Sequence, residues 1–169
     1  MTKAADRLMQ WLRDAHAMEM QAVQMLSGMA GRIKSYPMLQ ARIEQHIEET
    51  KNQASMIERC ITARGGDTSK MKDAAAQLLA TAQALSGMFA GDEVMKGSLA
   101  GYTFEHMEIA SYRILIAAAE ALGDQQTAMT CRQILQEEEA MAEWLAENIG
   151  PLTKEFLDRQ ENTYAEAKR

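Results

Sequence analysis

Proline is nearly missing from this chain of 169 residues: there are two, Pro37 and Pro151. Aromatic residues make up only 5%, and β-branched residues are sparse. Such a composition disfavours strands and leaves long stretches free to be helical. Cysteine is also down to two, Cys60 and Cys131, with no framework spacing. A disulfide scaffold is excluded, and two core-phase thiols fit a reducing cytoplasm. No apolar run reaches the length of a membrane span. Met1 to Arg7 carry no apolar segment of the signal-peptide kind, so a cytoplasmic protein is expected. Excess positive charge is absent too: the formal net charge is −6, which argues against a nucleic-acid footprint.

What remains is 47% hydrophobic, 25% charged and rich in Ala, Gln, Glu and Met. That suits one soluble all-α domain with a sizeable core. The fourteen methionines read as flexible core filler. Turn residues divide the chain into helices at about 3–30, 38–64, 70–86, 93–122, 125–148 and 152–166. Gly31 and Ser35-Tyr36-Pro37 end the first, with Pro37 in the opening turn of the next. Gly65-Gly66 stop the second, Asp92 offers a cap to the fourth, and Gly123-Asp124 make a tight turn. Gly150-Pro151 are expected to stop the fifth, leaving a C-terminal segment in which Phe156 and Tyr164 can dock. Two long hairpins thus flank a connection of nearly thirty residues. One long crossover between hairpins is the topology of a ferritin-like four-helix bundle.

Glutamates interrupt the apolar seams. Leu8, Leu12, Ala15, Glu19, Ala22, Leu26, Met29 alternate steps of four and three. So do Ser98, Tyr102, Glu105, Ile109, Tyr112, Ile116, Ala119, and Ala128, Cys131, Leu135, Glu138, Ala142, Leu145, Ile149. Such a stripe faces the core of a bundle, where an uncompensated carboxylate is costly. Counting from the turns puts Glu19 level with Glu49 on the second helix. Glu105 and Glu108, one turn apart on one face, straddle the level of Glu138. His46 lies one turn before Glu49 and Gln53 one turn after it. Four desolvated acids would each cost several kcal/mol, a sum beyond the ~5–15 kcal/mol stability of a domain. Two divalent cations would neutralise them. Oxygen donors with little imidazole suit iron or manganese. The candidate metal ligands are Glu19, His46, Glu49, Glu105, Glu108 and Glu138. In a metal-free bundle, Arg42 and Arg113 would have to compensate the acids instead. His16 can support the site from one turn before Glu19, and the hydroxyls of Tyr102 and Tyr112 can reach it.

Trp11 to Glu19, Gln45 to Gln53, Phe104 to Ala110 and Leu135 to Glu139 together resemble the YciE/YciF family of bacterial proteins, with the likeness nearest its YciE branch. The resemblance implies a ferritin-like fold, a stress-associated role, a dimetal carboxylate site and a homodimer. It carries the family's acidic positions onto Glu19, Glu49, Glu105 and Glu138, with Glu108 as a second acid on the same helix as Glu105. The usual Glu-x-x-His pairs are absent, since Glu49-x-x-Asn52 and Glu138-x-x-Met141 stand in their place. Gln53 stands where relatives carry His, and Ala142 where they often carry Asp.

Two functions follow. One is a dinuclear iron or manganese protein reacting with peroxide or oxygen. In it Glu105 or Glu138 bridges the metals, Glu19, Glu49 and Glu108 complete them, and His46 is the single nitrogen ligand. The other is a non-enzymatic dimeric interaction protein with a vestigial acidic core.

Overall fold

Helices form where the periodic stripes lie. The structure, a computed structural model, describes residues 2–67 and 92–162. Its elements are α1 (Lys3–Ala30), α2 (Pro37–Ala63), α3 (Glu93–Ala121) and α4 (Gln125–Glu161), with no strand among the described residues. The Thr2 side chain caps α1 by accepting from the Ala5 amide at 3.3 Å. Pro37 occupies the first turn of α2, where its missing N–H has no helical partner to lose. Gly123 turns the chain between α3 and α4 at φ +73°, a conformation open to glycine. Asp124 then accepts from the Thr127 amide at 3.0 Å and starts α4. Asp92 stands at the N-cap of α3, but its side chain pairs with Lys96 at 2.8 Å and makes no cap hydrogen bond.

Short turns make α1–α2 and α3–α4 antiparallel hairpins. Leu8 and Leu12, early in α1, pack in one cluster with Leu115 and Ala119, late in α3. Gly97, early in α3, faces Met29 at the end of α1. α1 and α3 are therefore antiparallel. Gln53 bonds Glu137 and Arg64 pairs with Asp124, so α2 and α4 are antiparallel as well. It follows that α2 and α3 run the same way. This is the ferritin-like arrangement. The helix expected near 70–86 and the docking of Tyr164 lie outside the described residues.

The expected stop at Gly150-Pro151 is not there. α4 passes through both as one helix of 37 residues, and no separate segment begins at 152. An interior proline costs ~3 kcal/mol. Leu152 and Phe156 beyond it are 6% exposed and join Ile33, Tyr36 and Leu39 in a common cluster. Burial of two such side chains contributes ~3–6 kcal/mol, enough to offset the break. Arg159 adds a hydrogen bond to the Ser35 carbonyl at 2.8 Å and lies 5.1 Å above the Tyr36 ring. The extension of α4 thus covers the α1–α2 turn.

Two apolar clusters fill the bundle. One joins Leu8 to Met18 of α1 with Met56 to Ile61 of α2, Tyr112 to Ala119 of α3 and Ala128 to Ile134 of α4. The other joins Ala22 to Ala30 with Leu39 to Ile47, Val94 and Met141 to Phe156. The level between them is polar.

Candidate metal centre

Each helix sends polar side chains to that middle level. Glu19 comes from α1, His46 and Gln53 from α2, Glu105 and Glu108 from α3, and Glu138 from α4; all are at most 2% exposed. On α1, α3 and α4 the acids stand on the same phase as leucine, isoleucine and alanine, so packing the stripe carries them inward. His46 is held from both sides. Its Nδ1 lies 2.8 Å from Glu49 Oε2, and the Thr50 hydroxyl donates to the His46 carbonyl at 2.8 Å. Its Nε2 lies 3.3 Å from Glu105 Oε2 and 3.6 Å from Glu138 Oε2. His46, Glu105 and Glu138 each offer one ligand atom, all within 4.8 Å of one another, and so form a buried group that can hold a metal.

The acids have few partners. Tyr112 donates its hydroxyl to Glu19 Oε1 from within the core. Five carboxylate oxygens remain buried without a hydrogen bond: Glu19 Oε2, Glu105 Oε2, Glu108 Oε1 and both of Glu138. Orphaned acceptors at this density are rare in a folded core and ask for protons or cations. The two arginines expected to compensate them are engaged elsewhere. Arg42 binds Glu49 at 3.1 Å, and Arg113 binds Glu139 at 2.8 Å on the surface. The donor set, four carboxylates and one imidazole with lone pairs free, fits hard divalent cations.

Protons stand in when no cation is there. Burial raises the Glu138 carboxyl to about 11, helped by the charges of Glu19 and Glu105. Burial likewise lifts Glu19 to about 8, against the Tyr112 hydrogen bond that favours its anion. Glu108 is raised well above the carboxylate range by burial and by Glu19, Glu138 and Glu105. The Tyr112 phenol is pushed up by burial and by Glu19. Burial acts to lower His46, but Glu105 and Glu49 outweigh it and raise it. Burial acts to raise Glu49, but His46, Arg42 and Gln45 win and lower it.

Of the six residues singled out from the sequence, five meet at the centre. Glu49 does not: it sits at the rim, 24% exposed, bonded to His46, Arg42 and Gln45. It orients the imidazole through Nδ1 so that Nε2 faces the acids. His16 is half-buried beside Glu58, whose charge acts on it. Tyr102 packs edge-on against His106, ring centroids 4.6 Å apart. Tyr112, one turn beyond Glu108, is the tyrosine that joins the centre. Sequence reasoning left Gln53 outside the site, although its i+7 spacing from His46 was a signal that it shares that face.

A crossover bundle with an acid-rich core at mid-height defines a ferritin-like protein with a potential metal-binding interior. The particular family is then given by the sequence itself. Residues 3–158 match the family described as "Domain of unknown function (DUF892)", and the chain belongs to it. It is 31% identical to protein YciF of Escherichia coli (strain K12) over 133 residues, 76% of this chain and 80% of that protein. The crystal structure of a Xanthomonas campestris pv. campestris protein superposes with a TM-score of 0.79 at 41% identity, covering 95% of this chain and 99% of that one. The crystal structure of the E. coli stress protein YciF gives a TM-score of 0.69 at 25% identity, covering 88% and 96%. The similarity runs to YciF and gives no support to a closer likeness to YciE. Among the described residues, no helix is long and apolar enough to cross a membrane.

Proposed function

We propose that this chain is a dinuclear metal-carboxylate protein of the bacterial stress response, holding iron or manganese and reacting with peroxide or oxygen. The observation that carries the reading is the set of five buried carboxylate oxygens without a hydrogen bond, on Glu19, Glu105, Glu108 and Glu138, around His46. Two divalent cations match their four charges. The stress role rests on the likeness to YciF, which bears that description. A bound iron or manganese pair supplies the redox chemistry. The chain's own part is to bind and to shield. Glu105, Glu138 and His46 form one group that can hold a cation, and the Glu19 and Glu108 carboxyls lie close enough for their charges to act on it. Glu49 holds the imidazole tautomer, and Tyr112 pins one oxygen of Glu19 so that the other stays available. The apolar layers above and below keep water from the centre.

The protein is taken to work in the cytoplasm as a homodimer. Leu99, Met107 and Ile114 recur at steps of eight and seven on α3 and are 45–64% exposed, a stripe that a second copy would cover. A second reading, a non-enzymatic dimer with a residual acidic core, is favoured by Met141, which is 1% exposed where the usual pattern has histidine.

Metal analysis of protein purified without chelator tests the first reading. About two cations per chain are expected, lost in Glu19→Ala and Glu138→Ala. Below about 0.2 per chain, with both variants as stable as the parent, the metal reading fails. Peroxide consumption by loaded protein, abolished in Glu105→Ala, separates it from the non-enzymatic alternative.

A further inference from the structure

Gln53 is the polar residue of the centre that the proposed ligand set leaves unused. It is fully buried. Its Nε2 donates to Glu137 Oε2 at 2.9 Å, across from α2 to α4. A carboxylate accepts and cannot donate, so Glu137 selects which end of the amide turns toward it. The NH2 end is taken, and the carbonyl Oε1 is left in the interior with no hydrogen-bond donor. The same amide lies beside the Glu138 carboxyl. Gln53 also stands two helical turns from His46 on the inward face of α2. A buried amide oxygen without a donor is destabilising. Glu137 is thus spending its charge to keep Gln53 in an arrangement that is unfavourable unless the oxygen has a partner.

We infer that Gln53 Oε1 is a neutral oxygen ligand of the metal centre, and that Glu137 is the positioning residue that presents it. The inference rests on the proposed metal reading and deepens it. Amide carbonyls are ordinary ligands of hard divalent cations. A neutral donor at this position has a consequence for selectivity. Four carboxylates balance two divalent charges, and an amide adds coordination without adding charge. A fifth carboxylate would favour a higher oxidation state.

Equilibrium dialysis of Mn(II) against the full chain tests this, together with melting of the cation-free protein. Gln53→Leu is expected to weaken Mn(II) binding by about tenfold or more. It should also raise the melting temperature of the cation-free protein, because an unpaired buried oxygen is gone. A glutamine with a merely structural role would give the opposite sign in the melt and no change in affinity. Glu137→Ala keeps Gln53 and every proposed ligand but frees the amide; it should weaken binding about three- to tenfold. Glu139→Ala removes the same charge from an exposed neighbour and should leave affinity unchanged. If Gln53→Leu does not fold, the contrast between the two glutamate variants carries the test. Parent-like affinity in both Gln53→Leu and Glu137→Ala, with the parent binding Mn(II), overturns the assignment of Gln53 and leaves the metal centre standing. A parent that binds no Mn(II), iron or other divalent cation overturns both.

Discussion

The middle level of the bundle and the two apolar clusters beside it are built from the same helices, yet they obey opposite rules. At the ends, Leu8, Leu12, Ile57, Ile61 and Leu115 are buried at 0–1% exposure among their own kind. Their removal from water is what holds the helices together. At the middle, the same phases carry Glu19, Glu105, Glu108 and Glu138, and burial there opposes folding. The ends make the bundle stable enough to tolerate its centre. The difference teaches that the acids are retained for what they bind, since the contacts that favour their anions, such as Tyr112 on Glu19, are outweighed by burial.

The strongest way to break the comparison is to hollow out an end. Leu12→Ala should cost about 2–5 kcal/mol in chemical denaturation, and by the same amount with and without cation. A loss that depends on cation would mean that the two levels are not separate. Next in size is a change of opposite sign at the centre. Glu138→Met should stabilise the cation-free protein by about 1–3 kcal/mol, since a buried acid whose oxygens lack hydrogen bonds gives way to apolar volume, while abolishing the stabilisation that Mn(II) gives the parent. Destabilisation of the cation-free form would show that Glu138 has a structural partner.

The comparison is sharpened further by the dependence on pH. Glu19 has an ordinary value of 4.5 and is raised to about 8 in the fold. Between those values the folded chain keeps a proton that the unfolded chain has released, so stability falls as pH rises. His46 is raised from 6.5, and its contribution is likewise full below that value and lost as pH climbs. Both act in one direction. The cation-free melting temperature should drop by several degrees from pH 5 to 8. Saturating Mn(II), which replaces the protons, should flatten the profile. A cation-free melt that rises over this window would contradict the buried, protonated state of these acids.

How far the centre is legible without coordinates depends on which helix carries the residue. On α1, α3 and α4 the acid sits within a clean stripe, and phase alone sends Glu19, Glu105 and Glu138 inward. Glu108 is found by its i+3 spacing from Glu105. On α2 two adjacent stripes compete. His46 and Glu49 are three residues apart, about 60° around the helix. Level counting favours Glu49, but the rotation of α2 that buries Ile43, Ile47, Ile57 and Ile61 brings in His46 and leaves Glu49 at the rim. Gln53 was overlooked for a similar reason: an amide gives no sign in the sequence of which end it will turn inward.

The sequence by itself determined the helices, their hairpin pairing and the level of the acids. Those depend on local propensity, on the 3.6-residue period and on distance from a turn, all of which are properties of one chain segment at a time. It misjudged Gly150-Pro151, because the burial of Leu152 and Phe156 that carries α4 through the proline belongs to a cluster drawn from all four helices. Only the tertiary structure decided which polar atoms are left without partners. That is a property of the gaps between helices, and Gln53 Oε1, Glu19 Oε2 and both oxygens of Glu138 acquire it only when all four helices close around them.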